Sequence, residues 1–118
     1  MLTIDIPCPI CNQYVFGLED NQDACEVCMW LNDGAQWRDP DLTVGPNELS
    51  INEYKIYYKL SLSPKNAQLK ELRDQFQAKK TAIRSKYNVR TDGDKIRAEI
   101  HVARDEYAEQ ILALDKAP

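Results

Sequence analysis

The 118 residues include 19 acidic and 15 basic side chains for a net charge of −4, and 43% of them are hydrophobic. That length and balance suit one compact domain or a small module with an extension, and no window approaches the roughly 18 uninterrupted apolar residues that a membrane-spanning helix needs. Met1-Leu2-Thr3-Ile4-Asp5 has neither a basic start nor an apolar run, so no signal peptide is expected and a cytoplasmic protein follows by default. The charge is unevenly placed. Residues 1–60 hold ten acids and three bases, residues 65–90 two acids and eight bases, and residues 91–118 seven acids and four bases. An acidic front and a basic middle can steer oppositely charged partners, or adjacent segments of opposite sign can simply neutralise one another.

All four cysteines fall early, as Cys8-x-x-Cys11 and Cys25-x-x-Cys28 with thirteen residues between the pairs. Each Cys-x-x-Cys turn offers two thiolates on one side, and a short hairpin can bring the second pair to face the first. Zinc takes four such ligands in a tetrahedron, at about 2.3 Å from each sulfur. Two disulfides are a competing arrangement, disfavoured in a reducing compartment. A thioredoxin-like redox pair is a third, and it lacks the βαβ context that it would need. Residues 1–30 contain too few large apolar side chains to form a core alone, whereas metal ligation typically contributes ~10–16 kcal/mol of apparent folding free energy. One structural zinc ion on Cys8, Cys11, Cys25 and Cys28 is therefore expected. Tyr14, Val15 and Phe16 suit a short strand between the turns, with Gly17 and Glu19-Asp20-Asn21 reversing the chain.

After the second turn, Asp33-Gly34, Asp39-Pro40-Asp41 and Gly45-Pro46 mark a long irregular loop over residues 30–47, pinned by Trp30 and Trp37 packing onto the ribbon. Asn32, Asp33, Asp39 and Asp41 lack the spacing of a calcium loop, so caps and turns are their expected use. Cys8-Pro9-Ile10-Cys11, Cys25-x-Val27-Cys28-x-Trp30, Asp33-Gly34, Asp39-Pro40-Asp41, Gly45-x-Asn47 and Ser50-Ile51 together resemble the cysteine-rich CPCC family of small bacterial proteins over about residues 6–58. The resemblance implies a zinc-ribbon-like module closed by a short helix, and an association of some members with bacterial toxin–immunity loci. The third cysteine of the family's namesake motif is Ile10 here, so position 10 is not expected to be a ligand. Residues beyond about 60 lie outside the resemblance.

Ser50-Ile51-Asn52-Glu53 has capping-box spacing, so a helix should begin near Ile51, with Ile51, Tyr54 and Tyr58 on one apolar stripe. Ser63-Pro64 predicts the start of a second helix, carrying Leu69, Leu72, Phe76, Ile83 and Tyr87 at helical spacing. A break at 88–93 leads to a third, with Ile96, Ile100, Ala103, Tyr107, Ile111 and Leu114 in line. Leu69 with Leu114, Leu72 with Ile111, Phe76 with Tyr107, Ile83 with Ile100 and Tyr87 with Ile96 have residue numbers that add to one constant, as an antiparallel hairpin requires. Lys80 falls opposite Ala103, where its stem can cover the small side chain while its ammonium stays in water. The same seam could instead assemble between two copies of the chain. The expected fold is thus small and α+β: a zinc-ribbon-like module with short strands and a bridging helix over 1–62, and a two-helix antiparallel hairpin over 63–118.

Catalytic groups are sparse. His101 is the single histidine, placed mid-helix beside the expected core residues Ile100 and Val102 and expected to face solvent or a partner, and no phosphate loop, nucleophile elbow or open metal site is present. A non-catalytic module that binds a protein is expected, in its most specific form an immunity protein neutralising a basic bacterial toxin. Trp37, Asp33, Asp39 and Asp41 are the candidate partner-binding residues. The alternative is a nucleic-acid-binding ribbon using Lys65, Lys70, Arg73, Lys79, Lys80, Arg84, Lys86 and Arg90 on phosphates.

Overall fold

The computed structural model describes residues 6–17 and 23–118, so the reversal expected at Glu19-Asp20-Asn21 lies outside the described residues. Two strands, β1 (Ile6–Pro7) and β2 (Val15–Phe16), pair antiparallel with Ile6 opposite Phe16 and Pro7 opposite Val15. Among the described residues four helices follow: α1 (Gly34–Arg38), α2 (Ile51–Ser61), α3 (Asn66–Lys86) and α4 (Gly93–Lys116). The result is a small α+β chain. It divides into two compact units, Met1–Lys59 and Leu60–Pro118, with the boundary inside α2. None of the described helices is long and apolar enough to cross a membrane.

The first unit gathers Ile6, Phe16, Trp30 and Ile51 around Cys8, Cys25 and Cys28, with Ile10, Tyr14, Tyr54 and Tyr58 packed against them. The expected 51–54–58 stripe of α2 is thus the face that meets this core. Trp30 lies edge-on to Tyr54 at 5.1 Å between ring centres, and the Tyr54 hydroxyl donates to the Cys28 carbonyl at 2.7 Å. Aromatic side chains suit this site because one end packs while the hydroxyl satisfies an otherwise buried backbone acceptor. The start of α2 is a reciprocal capping box: the Glu53 N–H donates to Ser50 Oγ at 3.1 Å, and the Ser50 N–H donates to Glu53 Oε1 at 2.9 Å.

Residues 30–47 depart from the irregular loop that their turn signals predict. They contain α1, with Asp33 as N-cap accepting from the Gln36 N–H at 3.0 Å. The expectation that both tryptophans pin this segment is also half overturned, because Trp30 is buried and Trp37 is 44% exposed. Gln36 pins it instead. Its Nε2 donates to the Leu42 and Leu49 carbonyls at 3.1 and 3.0 Å, and its Oε1 accepts from Asn47 Nδ2 at 2.8 Å. Asn47 in turn accepts from the Leu31 N–H at 2.8 Å and donates to the Leu31 carbonyl at 2.9 Å, pairing with that residue as a strand neighbour would. The backbone must pass close over this amide cluster at Gly45, where φ is +151° and an added Cβ would sit 2.9 Å from Gln36 Cδ and Oε1. Gly45→Ala should therefore cost about 1–3 kcal/mol from backbone strain alone. Urea denaturation of the variant, set beside Ala35→Gly at an exposed position of α1, would measure it.

In the second unit α3 and α4 form the antiparallel hairpin. Phe76 stacks on Tyr107 with 4.6 Å between ring centres and 13° between planes, as the constant-sum register predicts. Leu69, Ala103 and Ile111 are buried with them, while Leu72, Ile83, Tyr87, Ile96, Ile100 and Leu114 are half-buried. Lys79 to Glu106 at 2.9 Å and Lys86 to Glu99 at 2.7 Å join α3 to α4 beside the seam. Three expectations are corrected here. The ammonium of Lys80 is not left in water: the side chain is buried, with Nζ 4.9 Å from the centre of the Phe76 ring, where the electron-rich face replaces part of the lost hydration. Val102, read as a core neighbour of His101, is 66% exposed. And α3 starts at Asn66, not Pro64, because Ser63 accepts from the Lys65 N–H through Oγ and from the Asn66 N–H through its carbonyl, which spends Pro64 and Lys65 on a turn. Lys65 then reaches the far end of α4, donating to the Leu114 carbonyl at 2.8 Å and also to that of Ala117. A cation there complements the helix C-terminus.

Candidate metal centre

Each Cys-x-x-Cys segment folds by the same local rule. The N–H of the residue after the second cysteine donates back to the first cysteine's carbonyl, Asn12 to Cys8 and Met29 to Cys25, both at 3.0 Å. The first cysteine's own N–H closes a wider loop, Cys8 to the Tyr14 carbonyl at 2.7 Å and Cys25 to the Trp30 carbonyl at 2.8 Å. Closing the turn forces the following residue into the left-handed region, with φ of 57° at Asn12 and 68° at Met29. Asn tolerates that conformation, whereas Met takes it at a cost of about 1 kcal/mol. The turns also aim N–H groups at sulfur, from Val27 and Cys28 to Cys25 Sγ at 3.3 and 3.4 Å.

The β1–β2 pairing closes the first turn and the Ala24–Leu31 bridge closes the second, and the two turns meet in the buried cluster that holds Cys8, Cys25 and Cys28 with Phe16 and Trp30. Cys8 Sγ lies 3.5 Å from Cys28 Sγ and Cys11 Sγ 3.5 Å from Cys25 Sγ, and all four sulfurs fall within 4.8 Å of one another. Disulfides are excluded at those separations, since S–S bonds measure about 2.05 Å, and the four cysteines are free. A tetrahedron of sulfurs around a metal ion at about 2.3 Å has edges of about 3.8 Å. Only small movements separate the observed cluster from that figure, so these four residues can hold a metal ion. Ile10 is half-buried in the turn and supplies no ligand, as expected.

Protonation follows from burial. Desolvation pushes the Cys8 and Cys28 thiols up, against backbone N–H groups that lower them. At Cys25 desolvation also raises the thiol, but the N–H bonds from Cys28 and Val27 outweigh it and leave the pKa lowered. A metal ion entering near neutral pH must therefore displace protons, and its affinity falls as pH falls.

The other candidate residues separate into different tasks. Asp33 caps α1 and is half-buried. Asp39 and Asp41 are exposed; Asp39 Oδ1 accepts from the Asp41 N–H at 3.1 Å, and Asp41 Oδ1 accepts from Asn52 Nδ2 at 2.7 Å. The three acids and exposed Trp37 thus share the segment held by Gln36 and Asn47. Those two amides were absent from the sequence-based candidates, although Gly45 and Asn47 are among the residues that carry the family resemblance. His101 is exposed, its Nε2 3.4 Å from Asp105 Oδ2. Of the basic residues on 65–90, Lys65 caps α4, Lys79 and Lys86 pair with Glu106 and Glu99, and Lys80 is buried over Phe76.

Fold and site define a small α+β protein built on a four-cysteine cluster able to hold a metal ion. Within that class, the chain belongs to the cysteine-rich CPCC family, whose model matches residues 6–82. The match runs past α2 into α3, so the family pattern reaches beyond the expected limit near residue 58, while α4 lies outside it. No curated protein and no solved structure matches the chain.

Proposed function

We propose that this chain is a non-catalytic module, stabilised by one structural zinc ion on Cys8, Cys11, Cys25 and Cys28, that works by binding a basic protein partner. Four thiolates suit zinc, and with all four positions filled by sulfur none is open for water or substrate, so the ion stabilises and does not react. The most specific form of the reading is an immunity protein that neutralises a bacterial toxin in the cytoplasm. The observation that carries it is the 33–47 segment, where Trp37 is 44% exposed beside Gln36, which is fully buried. An exposed tryptophan on an internally braced, acidic segment is pre-organised as an interface anchor. The surrounding unit carries ten acids against three bases, which favours a basic partner.

Recovery of a protein partner from nuclease-treated lysate of the source organism, with Trp37→Ala weakening its capture, tests the reading. Tight binding of random-sequence DNA or RNA at physiological salt, with no protein recovered, would replace it by the nucleic-acid alternative. Asp39→Asn with Asp41→Asn keeps both side-chain acceptors while removing two charges. Association with the recovered partner should then slow several-fold at low salt, on the order of 10-fold at most, and the difference should vanish at high salt. Stopped-flow rates at two ionic strengths would measure it.

A further inference from the structure

We propose that the cysteine cluster is also an oxidation site, at which a peroxide joins Cys11 to Cys25 across the two turns and expels the metal. The metal-release part rests on the zinc reading above; the pairing of the sulfurs does not. Two sulfur contacts of 3.5 Å run between the turns, Cys11 to Cys25 and Cys8 to Cys28. Cys8, Cys25 and Cys28 are buried, and Cys11 alone is partly open to solvent. An oxidant arriving from solution meets Cys11 first, and its 3.5 Å contact across the turns is with the sulfur of Cys25.

The step balances with hydrogen peroxide as oxidant. The Cys11 thiolate attacks one peroxide oxygen, the O–O bond breaks, and a sulfenic acid and hydroxide result. The Cys25 thiolate attacks the sulfenic sulfur, the S–O bond breaks, a second hydroxide leaves and the disulfide forms. Each sulfur loses one electron, peroxide gains two, and both hydroxides end as water after protonation. The two sulfurs must approach by about 1.5 Å to reach bonding distance. A disulfide is a poor ligand, so the ion keeps two of its four thiolates and dissociates. Peroxide would in this way remove the metal that braces the first unit.

The test uses the intact, metal-loaded chain with one molar equivalent of hydrogen peroxide. Zinc release is read with a chelating dye, remaining thiols are alkylated, and cleavage after Glu19 and Glu26 puts Cys11 and Cys25 on separate peptides. The expected result is one zinc released per peroxide consumed, alkylated Cys8 and Cys28, and one linked peptide pair joining Cys11 to Cys25. A first disulfide inside either turn, Cys8 with Cys11 or Cys25 with Cys28, would overturn the proposal. So would oxygen added to Met29, which is 65% exposed, with all four thiols still alkylated. Should the purified chain carry no zinc, the zinc reading fails by itself, and the same mapping on the metal-free chain still decides the pairing.

Discussion

Cys25→Ser should yield protein without bound metal and with the first unit unfolded. Cys25 is fully buried, its sulfur accepts two backbone N–H groups, and it contacts Cys11, so a serine there removes a ligand and leaves those donors facing a shorter side chain. Metal-linked folding energy in such modules is on the order of 10–16 kcal/mol, as large as the whole stability of an ordinary domain of about 5–15 kcal/mol. Loss of the ion is therefore decisive in a unit whose buried core includes few apolar side chains besides the cysteines. Elemental analysis should find one metal per wild-type chain and none in the variant. Near-ultraviolet circular dichroism should lose the signal of Trp30, which is packed against Tyr54. A metal-free wild-type sample that keeps that signal in reductant would defeat the expectation.

Phe76→Ala should cost ~3–5 kcal/mol in the second unit. The ring is 2% exposed, stacks on Tyr107 and lies under the Lys80 ammonium, so truncation opens a cavity and also strips a buried cation of its aromatic face. Phe76→Leu should cost less, since it keeps most of the volume and loses only the ring interactions. Val102→Ala, at an exposed position on α4, should change stability by no more than about 0.5 kcal/mol. Denaturant unfolding followed at 222 nm, where α3 and α4 supply most of the signal, ranks the three. Equal losses at Phe76 and Val102 would mean that the seam does not run where the stacked rings place it.

The features legible in the sequence are those set by short spacings or by a regular period. Two Cys-x-x-Cys pairs define a ligand set, Ser50 and Glu53 define a helix start, and two apolar stripes of 3.6-residue period define a hairpin register that Phe76 and Tyr107 meet. What stayed hidden depends on side chains reaching non-periodic backbone. Gln36 bonds carbonyls six and thirteen residues ahead, and Asn47 pairs with Leu31 sixteen residues back, at separations that carry no pattern. The exposure of Trp37 follows from the same cause: once Gln36 takes the inward position in a helix of five residues, its neighbour must point elsewhere. Lys80 misled because a lysine in an apolar stripe normally extends to water, whereas here the Phe76 ring gives its ammonium a local partner.

The bracing of the 33–47 segment by Gln36 and Asn47 gives it a mechanical property of its own. Both braces are neutral amides, and dissolved ions do not screen hydrogen bonds between neutral groups as they screen exposed charges. Ionic strength can therefore be varied over a wide range without loosening the frame that carries Trp37, Asp39 and Asp41. A salt titration of binding then acts as a filter: what fades measures the long-range pull of the carboxylates, and what persists measures the fit of the indole.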